Sequence, residues 1–163
     1  VELAFLAPVL LSLLAIIILA GNGFDISRKV TQTARTLTDI ASQQANIGSS
    51  STTYTYSQIL SAASLVIAPY DSSQLSMVLS EIETNGTTQG TVIWSKANGN
   101  GVALAVGATV IVPAGLQSSS YVILGTVSYR YNPLQIYLSA NAITLSDSIY
   151  LAPRASTSVT CCS

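Results

Sequence analysis

The chain has 163 residues, of which 49% are apolar and only 8% charged, for a net charge of −1. That length holds one domain plus an appendage, and a pI near 5.0 with a mean hydropathy of +0.52 excludes an electrostatic footprint for nucleic acid or anionic lipid. Soluble domains carry about 25% charged residues, so Ser, Thr, Asn and Gln must make this surface polar, and a surface so poor in charge resists association with copies of itself only weakly.

Residues 1–21 read VELAFLAPVLLSLLAIIILAG, and residues 3–20 are interrupted only by Pro8 and Ser12. Eighteen helical residues rise about 27 Å, close to the roughly 30 Å hydrocarbon core of a bilayer. Pro8 removes one backbone donor, a loss that neighbouring helices accommodate in membranes. A secretory signal has a basic start and is cut away. This segment has no basic residue ahead of it and is expected to belong to the working protein, surrounded by lipid or by the same segment of neighbouring copies.

Gly21-Asn22-Gly23 follows as a hinge signal, with Asp25 as an N-cap for a second helical stretch. Ile26, Val30, Thr33, Leu37, Ile40, Gln44 and Ile47 recur at alternating spacings of four and three, the pattern of a packing seam. Carried backward, the same seam meets Gly23, Leu19, Ile16, Ser12, Val9 and Phe5. Residues 22–48 are therefore expected to continue the apolar helix as an amphipathic one.

Residues 48–56, GSSSTTYTY, form a polar linker whose hydroxyls could accept glycans. A short helix is expected at 57–67, ended by Ala68-Pro69. From Leu75 onward β-branched residues broken by Gly, Asn and Pro predict strands near 75–83, 90–97, 104–112, 121–131 and 143–152. Tyr121, Ile123, Val127, Tyr129 and Tyr131 share one face of the longest. An antiparallel sheet packed on the second half of the long helix buries both. The predicted fold is thus α+β: residues 1–21 an apolar helix, 22–48 its amphipathic continuation, and 49–163 a β-rich head.

The chemistry of catalysis is sparse. The chain has no His, so the usual base beside a nucleophile is missing, and Lys29 and Lys96 stand in no supporting motif. Glu81 and Glu83 would share one face of a strand and are expected to form the solvated face of an edge strand. The Asn-Gly repeat at 98–101 lacks the Lys-Ser/Thr of a phosphate loop, and Asn85-Gly86-Thr87 reads as a hairpin turn rather than a glycosylated sequon. Cys161 and Cys162 are too few for a zinc site. They leave a vicinal disulfide, a bond to another subunit, or two free thiols. Adjacent cysteines close almost no loop, so a stabilising bond would have to join different subunits. No catalytic residue, metal or cofactor is expected.

The opening VELAFLAPVLLSLL resembles the TadE-like pilins and pseudopilins of bacterial tight-adherence systems, relatives of type IV pilins. The resemblance continues through RKVTQTARTLTDIASQ, ILSAASLVIAPYD, IWSKANGNG and VSYRYNPL to IYLAPR. It implies a structural subunit inserted in the inner membrane, trimmed by a prepilin peptidase, and assembled by inner-membrane machinery into a helical filament of identical subunits on the bacterial surface, for adhesion. It also implies that Glu2 meets the Val1 amine of a neighbouring subunit, although the family's more familiar spacing puts this acid fifth after the cut. Val1, Glu2, Phe5 and Pro8 are then the assembly residues, Gly21, Asn22 and Gly23 the hinge, and Cys161 and Cys162 the candidate disulfide. The alternative is a minor TadE-like pseudopilin, or a single-pass tethered accessory protein of pilus assembly with a periplasmic head.

Overall fold

The apolar stretch and the seam form one helix. In the structure, a computed structural model that describes residues 2–48, 54–98, 100–118, 120–132 and 142–161, α1 runs unbroken over Glu2–Ser42. The break expected at Gly21, Asn22 and Gly23 is absent, and Asp25 lies within the helix rather than capping one. Each glycine costs about 1 kcal/mol in a helix, but packing outweighs propensity. Tyr131 lies over Gly23, where a Cβ would stand 3.5 Å from its ring, and its hydroxyl donates to the Leu19 carbonyl at 3.4 Å. The head thereby touches the helix at Leu19 and Gly23, while Gly21 faces open space. The seam residues Ile26, Val30, Thr33 and Leu37 are buried, with Ala34, Thr38 and Ala41 beside them. Thr33 and Thr38 return their hydroxyls to the Lys29 and Ala34 carbonyls at 2.8 and 2.7 Å, so these two threonines bring no unpaired hydroxyl inside.

The helix stops earlier than the seam predicts. The Ser42 carbonyl accepts from the Arg154 amide at 2.8 Å, and the Gln44 amide turns back to the Ala41 carbonyl at 3.1 Å. Ile47 is still fully buried, but as part of β1 (Asn46–Ile47), which pairs in parallel with the chain's last strand. Helix α2 (Tyr56–Ser64) begins at a capping box in which Thr55 and Gln58 satisfy one another's backbone amides. It runs into a 3-10 turn at Leu65–Ile67 ahead of a cis Ala68-Pro69 bond, and it buries Ile59, Leu60 and Ala63 in the core shared with α1.

The sheet is antiparallel. Strands β2 (Leu75–Thr84), β3 (Gln89–Ala97), β4 (Thr109–Ile111), β5 (Tyr121–Tyr131) and β6 (Ile143–Leu151) lie in the order β4-β3-β2-β5-β6, and β7 (Thr160–Cys161) completes the pair with β1. β4 is shorter than expected because Gly107 takes φ +83 in a turn, a conformation L side chains rarely adopt. Asn85-Gly86-Thr87 is the turn it reads as: Gly86 has φ +78, and Asn85 accepts from the Thr87 hydroxyl at 2.6 Å.

One sheet face carries Leu75, Met77, Leu79, Ile123, Val127 and Tyr129 into the core with α1 and α2. The other carries Ile82, Val92, Val122 and Leu124 beneath Leu104, Val110 and Leu116. Gly125 lets the helix approach, since a Cβ there would collide with Thr38. The expectation of a solvated edge strand for Glu81 is overturned. β2 is the central strand, and Glu81 is only 2% exposed. Glu83 shares its face and remains exposed.

Candidate membrane and subunit interface

Residues 6–18 of α1 project from the head with every face bare. Leu6, Val9, Leu10, Leu11, Leu13, Leu14, Ile16, Ile17 and Ile18 are each 53–65% exposed, and an 18-residue window here reaches a mean hydropathy of 2.2 with none of it buried. A helix apolar all round belongs in a core or a membrane, since each such side chain gains about 1.5–3 kcal/mol on full burial. Ser12 donates to the Val9 carbonyl at 2.8 Å, which lets this polar residue sit in an apolar medium at little cost. Glu2 and Phe5 lie in the first turns of α1, and Pro8 is inside the helix. This is the end away from the packed half. Val1 lies outside the described residues.

Where α1 enters the head its surroundings change from apolar to mixed. Phe24 is 63% exposed, with the Arg28 guanidinium 4.6 Å above its ring. Tyr70 donates to Asp25 at 2.5 Å, and this bond to a carboxylate pushes the phenol up to about 12. Tyr70 also meets Tyr129 edge-on at 6.4 Å. Asn22, Tyr70, Arg130 and Tyr131 help line a cleft of about 690 Å³ beside the helix.

The buried carboxylate serves the fold. Glu81 accepts the Val159 amide at 2.5 Å and the Trp94 indole at 2.9 Å, and the same indole donates to the Val159 carbonyl at 2.7 Å. Burial pushes its pKa up, with the two donors opposing. Arg154 pairs with Asp39 at 3.0 Å, and the Thr160 amide donates to the Ala45 carbonyl at 3.2 Å. The chain's last stretch is thus clasped against the end of α1 and the middle of the sheet. Alternation along β2 signals this: Leu75, Met77, Leu79 and Glu81 share a side. The partners Trp94 and Val159 carry no such signal. Cys161 is disulfide-bonded and packs against the main core, while Cys162 lies outside the described residues. Among the described residues no group of three or more His, Cys, Asp or Glu could hold a metal ion.

No family model, curated protein or solved structure matches this chain.

Proposed function

We propose that this chain is a pilin-like structural subunit, anchored in a membrane by α1 and assembled into a filament through it. One observation carries the reading. A bare apolar helix, 0% buried over its most hydrophobic window, is continuous with a helix half whose seam is buried in the head. A rigid rod of this kind can leave lipid for a bundle of identical rods without refolding, exchanging one apolar environment for another. The resemblance to TadE-like pilins supports the same reading, with Glu2 pairing to a neighbour's N-terminal amine. An ionised carboxylate in apolar surroundings is costly unless paired, and removing one partner of a buried pair costs about 3–5 kcal/mol.

Electron microscopy of material sheared from the cell surface tests this directly. Filaments labelled by antibody to this chain are expected, and Glu2→Ala should leave the chain in the membrane while filaments disappear. Membrane-bound chain without filaments in the wild type would point to a tethered accessory protein instead.

A further inference from the structure

The head meets α1 at a level that the helix's own length places at the edge of a bilayer. The 18 residues ending at Ala20 rise about 27 Å and nearly fill a hydrocarbon core of roughly 30 Å, so residues 21–24 fall among the headgroups. Phe24 stands in this turn, 63% exposed. Helical side chains lean toward the N-terminus, so Arg28, stacked 4.6 Å over the Phe24 ring, reaches toward the membrane side and not toward the head. On the head, Tyr131 extends down to the Leu19 carbonyl, and exposed Arg130 lines the adjoining cleft with Asn22 and Tyr70. Among the described residues the single ion pair joins Arg154 to Asp39, so neither Arg28 nor Arg130 has a carboxylate partner. Asp25, the acid in this turn, is hydrogen-bonded by Tyr70.

We infer that Phe24, Arg28, Arg130 and Tyr131 form a collar that seats on phospholipid headgroups and sets the depth to which α1 inserts. Aromatic rings and long basic side chains are the groups that favour the membrane–water interface. Guanidinium groups suit phosphate by geometry as well as charge. A net charge of −1 offers no long-range pull, so the contact is local and zwitterionic lipid satisfies it. The inference rests on the anchoring read above.

The test uses the full chain in phosphatidylcholine vesicles, comparing Phe24→Trp with the wild type, whose Trp94 is buried in the head and reports folding. Lipids brominated near the headgroup should reduce the emission of F24W more than lipids brominated near the bilayer centre, with Trp94 unaffected. Adding R28Q and R130Q should diminish that shallow quenching. If F24W floats with vesicles yet is quenched by neither lipid, or more by the deep one, the collar is wrong and the anchor stands. Shallow quenching indifferent to R28Q and R130Q overturns the phosphate contacts. Wild-type chain that fails to float with vesicles overturns the anchor and the collar together.

Discussion

Replacing Glu81 by alanine separates the clasp on the C-terminal stretch from the rest of the fold. The carboxylate takes two donors, the Val159 amide at 2.5 Å and the Trp94 indole at 2.9 Å. In Glu81→Ala the indole keeps the Val159 carbonyl at 2.7 Å, but the Val159 amide, on a residue with 0% exposure, keeps nothing. One orphaned buried donor costs about 1–3 kcal/mol. The void adds to that, while removal of a desolvated carboxylate gives part of it back. A net loss of about 2 kcal/mol lowers the melting temperature of a chain this size by about 4–8 °C. Glu81→Gln keeps the volume and one acceptor for the Val159 amide and should lose less than about 1 kcal/mol. Thermal unfolding of the full chain in detergent reads the first quantity, and hydrogen exchange at Val159 and Thr160 reads the second, with faster exchange in the alanine variant. Unchanged melting together with unchanged protection of those two amides would refute the clasp.

The same carboxyl has a pH signature. Burial raises its pKa above the ordinary 4.5, so the folded chain holds this proton more tightly than the unfolded one. The stabilisation is complete below about 4.5 and is lost as pH rises through the folded value; Glu81→Gln should flatten that part of the stability–pH curve. Tyr70 behaves alike at the alkaline end. With its pKa raised from 10.0 to about 12 by Asp25, its contribution is present below 10 and lost toward 12, and Tyr70→Phe should remove one phenolate step near pH 12 from an absorbance titration. Gly125→Ala forces Thr38 of α1 off the sheet and should cost about 1–3 kcal/mol. Thr38→Ala should recover part of it in the double variant, whereas strictly additive losses in denaturant titrations would argue against the contact.

How much of this was legible depended on the range of each signal. Strands β2, β3, β5 and β6 lie within a residue or so of their expected bounds, because alternation and turn residues act over a few positions. The seam identified the buried face of α1 correctly from Ile26 to Leu37. It overran the helix end, since Ile47 satisfies the same periodicity from a strand. The glycines misled for the opposite reason: their propensity is local, but Tyr131, which packs on Gly23 and reaches the Leu19 carbonyl, comes from more than a hundred residues away in the chain. Of the interface, the apolar rod was plain from composition. The collar was not, because its aromatic and basic members come from α1 and β5 and reach one level of the helix only after folding.

By itself the sequence determined that this chain carries one segment too apolar for water, a second half-helix with a face to bury, and a set of strands with their turns. These follow from composition and from periods of 3.6 and 2, which each residue expresses beside its near neighbours. The tertiary structure alone decided that β2 is central, that Glu81 on its core side meets Val159 and Trp94, and that β1 finds β7 across the whole head. Strand order and long-range pairing depend on which surfaces bury one another best, a property of the assembled layers that no short window of residues contains.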